Sequence, residues 1–396
     1  MPEPIDLRRR HLLAGTATAI AAVSLSGLPW RVQAQEAMPL PDYVKWKTPE
    51  ALIVHSANTL ETHRDAIGTS VITASNRLFV RNNLPAPDAS ILADREGWTV
   101  AFQGVKQPRS LTLAELRSLG VTTVASVLQC SGNGRAFFPH GASGTPWTVG
   151  AAGCVFWSGV PLKSVVAMLG GVADGQSFIT ATGGETLPAG LDPKTLIVER
   201  SVPLRALDQA LLAWEMNGEP LSVAHGGPLR LVIPGYFGVN NIKYVKQLAF
   251  TAEQTDANIQ KSGYRIRPVG EKGAPDQPSM WEMSVKSWIS QPLEQMKAGR
   301  VLIQGVAFGG AKAVKSVEVS LDGGQSWRPA PFVGPDLGPY AWRPFVLAVE
   351  LKPGNYSLAS RATDVDGNVQ PRERVDNERG YGHTGWEDHA VKVAVV

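Results

Sequence analysis

The sequence is poor in cysteine, in long apolar runs and in net charge, and each shortage excludes a class of structure or function. Only two cysteines occur in 396 residues, Cys130 and Cys154, so at most one disulfide can form and no Cys-x-x-Cys-His motif for haem attachment exists. After the N-terminal segment no run of about 18 uninterrupted apolar residues occurs, so we expect no membrane insertion there. A formal net charge of +3 implies no nucleic-acid-binding surface.

Glycine and proline, by contrast, are abundant, with 40 and 29 residues in a chain that is 43% hydrophobic and 18% charged. This composition favours strands, turns and long connections over a helical bundle. The length suits two or three domains rather than a single core.

The N-terminal residues 1–34 have the pattern of a twin-arginine signal peptide. Arg8-Arg9-Arg10 precede His11-Leu12-Leu13, a small apolar stretch spans 14–28, and Val32-Gln33-Ala34 offers a cleavage site. The alternative is an uncleaved anchor helix, but the stretch is short and ends at Pro29. We therefore expect a periplasmic protein that is exported folded, a route commonly used when a cofactor is inserted in the cytoplasm.

Residues 35–270 mix helical and strand-like patterns, which predicts an α+β catalytic domain. The predicted helices lie at 112–119, 160–169 and 207–216, and the predicted strands include 121–128, 176–181 and 228–233. The first helix has Thr112 and Glu115 at capping-box spacing.

A Pro- and Gly-rich linker at 268–278 contains the boundary to a second domain of different character, residues 271–396. Alternating apolar residues predict short strands at 301–307, 314–321, 345–351 and 356–363, separated by turn signals such as Asp322-Gly323-Gly324. This pattern predicts an immunoglobulin-like β-sandwich, which alone would serve binding or dimerisation.

The two cysteines have different surroundings. Cys154 lies in the apolar run Ala151 to Trp157, typical of a buried structural thiol. Cys130 ends an apolar strand and is followed by the polar, Gly-rich turn Ser131-Gly132-Asn133-Gly134-Arg135. A thiol at a strand end beside a basic loop is placed for chemistry, although a disulfide between the two cysteines is the alternative in an oxidising compartment.

Three clusters combine constrained turns with cationic or hydrogen-bonding side chains, a chemistry that suits an anionic ligand with several oxygens. They are the run 79–87 (FVRNNLPAP), the run 130–135 (CSGNGR) with Trp147, and the run 225–230 (HGGPLR) with Asn240-Asn241-Ile242-Lys243.

Together these runs resemble the sulfite oxidase family of molybdenum enzymes, in particular a bacterial periplasmic sulfite dehydrogenase, over nearly all of the chain after residue 34. The resemblance implies a molybdopterin-binding domain followed by a dimerisation domain, and it makes Cys130 the protein ligand to molybdenum. It also implies the remaining site residues: Tyr264, Arg81 and Arg135 as catalytic; Arg81, Arg135, Trp147 and Arg379 as sulfite-binding; Phe79, Arg81, Asn82, His225, Arg230, Asn241 and Lys243 as cofactor-binding.

The implied reaction is the oxidation of sulfite to sulfate by oxygen-atom transfer, with the electrons leaving singly. Since no haem region is recognised in this chain, we expect a separate c-type cytochrome as acceptor, one molybdopterin per chain and a homodimer formed through the C-terminal domain. One departure is Asn83, which occupies the position of a family histidine and removes a pH-sensitive donor from the pocket.

Alternatives remain open on this scaffold. A related molybdenum enzyme could act on protein-bound sulfur, as a sulfane dehydrogenase does, or on sulfoxides, and Cys130 does not discriminate among them. A different class of function would be an exported β-sandwich binding protein without a cofactor.

Overall fold

Five β-sheets carry most of the regular structure of residues 38–396, the part of the chain that the computed structural model describes. The predicted signal peptide lies outside these residues, so it and the export route stay predictions. The strands are β1 (Leu52–Ser56), β2 (Thr59–Thr62), β3 (Val80–Arg81), β4 (Thr99–Gln103), β5 (Arg109–Thr112), β6 (Thr122–Gln129), β7 (Ala152–Pro161), β8 (Phe178–Gly183), β9 (Glu199–Pro203), β10 (Leu211–Met216), β11 (Glu219–Pro220), β12 (Arg230–Val232), β13 (Val245–Thr251), β14 (Lys286–Gln291), β15 (Gly299–Phe308), β16 (Val314–Ser320), β17 (Arg328–Pro329), β18 (Arg343–Leu351), β19 (Gly354–Asp364) and β20 (Val391–Val395).

Four short α-helices interrupt these strands within the described residues: α1 (Leu113–Ser118), α2 (Leu162–Met168), α3 (Pro193–Leu196) and α4 (Asn258–Lys261). The capping box predicted for α1 is present, since Thr112 and Glu115 exchange side-chain and backbone hydrogen bonds. None of the helices in residues 38–396 is long and apolar enough to cross a membrane.

The N-terminal part contains three sheets, ordered β1-β2-β3, β11-β10-β7-β6 and β5-β4-β13-β8-β9, with β12 added beside β10. The sheets are antiparallel except for the parallel pair of β4 and β13. This mixture of sheets and short helices confirms the α+β prediction for the N-terminal part.

The predicted helix at 207–216 is wrong, because Leu211–Met216 forms β10. This strand is almost wholly buried and pairs with β7 on one side and with β11 and β12 on the other. Asn217 and Gly218 both have positive φ and form the hairpin turn into β11. Tertiary pairing therefore overrides a helix-compatible apolar pattern.

The C-terminal part is a two-sheet sandwich with strand orders β14-β15-β18 and β17-β16-β19-β20. Its seven strands agree with the predicted sandwich, and Ile289, Phe345 and Leu358 are among the residues that fill the space between the sheets.

A second apolar core joins the sandwich to the N-terminal part. Cys154 and Val127 of the N-terminal sheet pack in the same cluster as Trp288 and Trp342 of the C-terminal part. All four side chains are less than 4% exposed. This core fixes the C-terminal loops against the loop that follows β6.

Candidate active site

A cleft with an empty volume of about 660 Å³ opens where the loops of the N-terminal part converge. It brings together all three clusters that the sequence singled out. Its lining includes Phe79, Arg81, Asn82, Asn83, Cys130, Ser131, Glu185, His225, Arg230, Asn241, Lys243 and Tyr264.

Cys130 lies at the end of β6, where its backbone N–H donates to the Ala151 carbonyl at 2.9 Å. Its thiol lines the cleft although the residue is only 8% exposed. Cys154 pairs with Val127 in the neighbouring strand and belongs to the other core, so the two thiols are free and point to different sides of the sheet. Burial raises the pKa of Cys154 to about 12, which marks it as an inert thiol.

A second cleft, of about 520 Å³, adjoins the first at Cys130. Both clefts are lined by Arg81, Asn83, Cys130 and Tyr264, and the second adds Arg135, Arg379 and Tyr381. Cys130 therefore lines both clefts. We call the first the large cleft, and the second, which has three arginines, the second cleft or small pocket.

Arg135 is held in this pocket by two backbone carbonyls. Its Nε donates to Arg379 and its Nη1 to Thr145, both at 2.8 Å. A Cβ on Gly132 would lie 2.3 Å from Arg135 Nη2, so glycine is required there for close approach of the guanidinium to the Cys130 loop. Since the side chain is 6% exposed and has no carboxylate partner in residues 38–396, its charge is available to an anion.

Arg81 lines this second cleft together with Arg135. Its Nη1 donates to the Asn82 carbonyl, and its Nη2 lies 3.5 Å from the Tyr264 hydroxyl. Burial works against its charged form, but the nearby Tyr264 and Cys130, as potential anions, outweigh it and raise the pKa of Arg81.

Tyr264 is held from two directions. Its hydroxyl donates to Asn83 Oδ1 at 3.3 Å, and its ring stacks on Tyr381 with centroids 5.2 Å apart and planes 10° apart. Its backbone has φ +22°, in the left-handed region that a tyrosine rarely adopts. Asn83 thus takes part in the site by binding the tyrosine hydroxyl.

The large cleft is also lined by buried cationic side chains. Lys243 Nζ donates to Asn82 Oδ1 at 2.5 Å and to the Ala224 carbonyl, while Arg230 Nη1 donates to the His225 carbonyl at 3.1 Å. Burial, followed by repulsion from Arg230, lowers the pKa of Lys243 well below its usual value, and burial lowers that of Arg230 to about 10. A bound anion would offset both costs.

The residues of the large cleft fit a cofactor that carries a phosphate and a metal for which the protein supplies a thiolate ligand. Arg230 Nε and Ser131 Oγ are buried without a hydrogen-bond partner among residues 38–396, and both residues line the cleft. Gly226 has φ +96°, and a Cβ there would lie 2.8 Å from Lys243 Cγ, so glycine lets the Lys243 side chain pass beside His225. Cys130 adds the thiolate that a soft metal prefers.

Three predicted residues lie less directly in the site. Phe79 lines the large cleft, and so does Asn241, but the Asn241 amide is bonded to the backbone at Ile233 and Phe237. Trp147 is fully buried and packs edge-to-face on Phe79 at 6.4 Å, outside the lining of both clefts. The cofactor- and substrate-binding roles of these residues stay predictions.

The sequence prediction missed three residues. Tyr381 of the C-terminal part lines the second cleft, and Glu185 lines the large cleft. Lys47 contacts the wall of the large cleft, with its Nζ 3.1 Å from Nε2 of His225. Burial raises the pKa of Glu185 to about 7. None of the three lies in one of the clusters that the sequence singled out, and their mixed polar and glycine-containing neighbours give no local signal of a site.

Two family models match the chain in succession. Residues 85–259 match an oxidoreductase molybdopterin binding domain, and residues 277–395 match a Mo-co oxidoreductase dimerisation domain. Each match falls within one of the two predicted domains, 35–270 and 271–396, whose boundaries stay predictions.

Characterised relatives match over most of the chain. Sulfite oxidase of Gallus gallus is 31% identical over 350 residues, which cover 82% of this chain and 74% of the relative. Mitochondrial sulfite oxidase of Rattus norvegicus is 32% identical over 350 residues, covering 83% of this chain. The matched part is only 62% of the length of the rat protein.

A solved structure resembles the whole described fold. The sulfane dehydrogenase SoxCD from Paracoccus pantotrophus superimposes with a TM-score of 0.72 at 26% identity, covering 94% of this chain and 96% of that chain. The similarity therefore includes both the N-terminal part and the sandwich.

Proposed function

The chain belongs to the sulfite oxidase family of molybdenum enzymes, and we propose on that basis that it is a dehydrogenase that oxidises sulfite to sulfate. The observation that carries the proposal is the meeting of two clefts at Cys130, one suited to a phosphate-bearing cofactor and the other lined by three arginines. Sulfite is a small oxyanion of sulfur, and the guanidinium groups match its charge and oxygen geometry.

The large cleft would hold molybdopterin. Arg230, Lys243 and His225 would bind its phosphate and pterin, and the Cys130 thiolate would coordinate molybdenum. When bound, the molybdenum centre supplies oxygen-atom transfer and accepts two electrons. The overall balance is sulfite and water to sulfate, two protons and two electrons.

The protein's own contribution is to place the anion. Arg81, Arg135 and Arg379 line the small pocket, so sulfite would be concentrated there and oriented with its sulfur towards the Cys130 side. Tyr264, which accepts a hydrogen bond from Arg81 and donates one to Asn83, would hold the Arg81 guanidinium in position for the oxyanion.

The proposal extends to the partners and the compartment. We place the protein in the periplasm, as a homodimer through its C-terminal domain, with a separate c-type cytochrome that takes the electrons one at a time. The dimerisation-domain match supports the homodimer, and the twin-arginine pattern supports the compartment.

The test combines metal analysis with a steady-state assay. The full-length chain is expressed with molybdate, and the purified protein is analysed for molybdenum and for sulfite-dependent reduction of a c-type cytochrome. About one molybdenum per chain with turnover supports the proposal. Absence of molybdenum favours the cofactor-free binding protein, and molybdenum without sulfite turnover rejects the substrate.

The second candidate is oxidation of protein-bound sulfur. The similarity to the sulfane dehydrogenase SoxCD supports it, because the two folds superimpose over 94% of this chain with a TM-score of 0.72. Parallel assays with sulfite and with a carrier protein bearing a sulfane sulfur separate the two. A carrier-dependent rate well above the sulfite rate would transfer the assignment to the sulfane reaction.

A further inference from the structure

A buried lysine outside the three clusters contacts the wall of the large cleft. Lys47 lies only 3% exposed, between two 3-10 turns at the start of the described chain. Its Nζ is 2.7 Å from the carbonyl oxygen of Ser75, 2.8 Å from that of Leu78 and 3.1 Å from His225 Nε2. In residues 38–396 it has no carboxylate partner.

When Lys47 is an ammonium, its hydrogen-bond partners determine how His225 is protonated. Carbonyl oxygens only accept hydrogen bonds, so two of the three ammonium protons go to Ser75 and Leu78. The third proton points to His225 Nε2, which can accept it only when that nitrogen carries no hydrogen. In the neutral imidazole the hydrogen must then lie on Nδ1.

Neutral imidazole is the form that the surroundings favour. His225 is fully buried beside Lys47, Lys243 and Arg230, and burial followed by repulsion from these cations lowers its pKa well below the usual value. The residue lines the large cleft, so a hydrogen on Nδ1 is the group it can offer to a ligand there.

We propose that Lys47 is a positioning residue that holds His225 as the Nδ1–H tautomer, so that the imidazole donates a hydrogen bond to the pterin or phosphate in the cleft. The inference rests on the proposed cofactor, since the donor is useful only to a ligand with acceptor atoms. Lys47 also joins two of the site's clusters, because Leu78 directly precedes Phe79 and His225 begins the 225–230 run.

The competing arrangement is a neutral lysine. Burial lowers the pKa of Lys47 to about 7, and an uncharged amine could accept a hydrogen from His225 Nε2 while donating to the two carbonyls. That arrangement leaves Nδ1 as an acceptor, which suits a ligand N–H rather than a phosphate oxygen. The two arrangements differ in one proton position, which can be measured directly.

The first experiment is nitrogen-15 NMR of the histidine side chains in the full-length protein as purified, at neutral pH. The signals of His225 are assigned as those missing from His225→Gln. We expect a protonated Nδ1 and an unprotonated Nε2 that accepts a hydrogen bond. A hydrogen on Nε2, in either the neutral or the doubly protonated ring, would overturn the proposal.

The second experiment replaces the lysine and measures the cofactor, independently of turnover. Lys47→Met keeps most of the length of the side chain and removes the donors, and we expect its content of released pterin and molybdenum to fall about tenfold. Lys45→Met is the matched control, since Lys45 is two residues away, 70% exposed and paired with Asp42. Its cofactor content should equal that of the wild type.

The outcomes separate this inference from the proposed function. A wild-type protein without molybdenum or pterin contradicts the function but leaves the tautomer measurement intact. Wild-type cofactor content in a folded Lys47→Met protein contradicts the inference while the function stands. If Lys47→Met fails to fold, as judged by circular dichroism, the NMR experiment on the wild type alone decides the matter.

Discussion

Arg135 donates its Nε–H to the carbonyl oxygen of Arg379 at 2.8 Å, although the two residues are 244 positions apart in the chain. The first follows the Cys130 strand, and the second lies between β19 and β20 of the sandwich. The second cleft is therefore built by both parts of the chain, so the sandwich contributes residues to the candidate active site.

Arg135→Gln should raise KM for sulfite about tenfold to hundredfold, because a buried cation that binds an anion contributes roughly 1.5–3 kcal/mol. The measurement is steady-state sulfite oxidation together with thermal melting, since the side chain also binds the Thr145 and Arg379 carbonyls. Arg300→Gln, an exposed position on β15, is the control. An unchanged KM would contradict the placement of Arg135 in the sulfite pocket.

Asn83→His should introduce a pH dependence that the wild type lacks at this position. The imidazole would lie beside Tyr264 and Arg81 and gain a positive charge as pH falls through about 6.5. Attraction for the anion then increases at low pH, so kcat/KM relative to the wild type should rise between about pH 7.5 and 5.5. Superimposable pH profiles of kcat/KM for the two enzymes would show that a charge at residue 83 does not affect binding of the anion.

Cys130→Ser should abolish turnover, because the alkoxide is a much poorer ligand for the metal than the thiolate. The matched variant is Cys154→Ser, whose thiol packs in the core between the two parts and is not in either cleft. We expect it to retain wild-type kcat with some loss of thermal stability. Sulfite turnover and molybdenum content of both variants are measured, and turnover by Cys130→Ser would refute its role as metal ligand.

Lys286→Met should change how stability depends on pH. Lys286 is 1% exposed and 3.4 Å from the Asn133 carbonyl, and burial lowers its pKa to about 7. Between pH 7 and about 10 the unfolded chain binds a proton that the folded protein lacks, so this lysine makes stability rise with pH. Below pH 7 the charge is buried in the folded protein and its cost is constant.

The variant should therefore gain less stability than the wild type between pH 7 and 9.5, by about 3 kcal/mol in the free energy of unfolding. Denaturant unfolding at the two pH values measures this difference, with the exposed Lys297→Met as control. Parallel curves for Lys286→Met and the wild type would mean that the buried lysine stays charged throughout.

Local chemistry made some features predictable. The capping box of α1, the sandwich strands and the residues flanking Cys130 depend on neighbours in the chain, and the structure has them where they were predicted. The segment 211–216 was mispredicted because its apolar residues suit a buried strand as well as a helix. The Asn217-Gly218 pair is a hairpin signal, and it favours a strand over a helix for the residues before it.

The amino-acid sequence by itself determined the chemistry available to the protein: one thiol at a strand end, arginines on Gly-rich turns and a β-rich C-terminal part. Only the tertiary structure decided which groups meet. Tyr381 stacks on Tyr264, and Lys47 contacts His225 across 178 positions, because packing of the core brings distant loops together. Such contacts leave no periodicity or motif in the sequence, since the free energy that selects them comes from burial of the whole domain rather than from neighbouring residues.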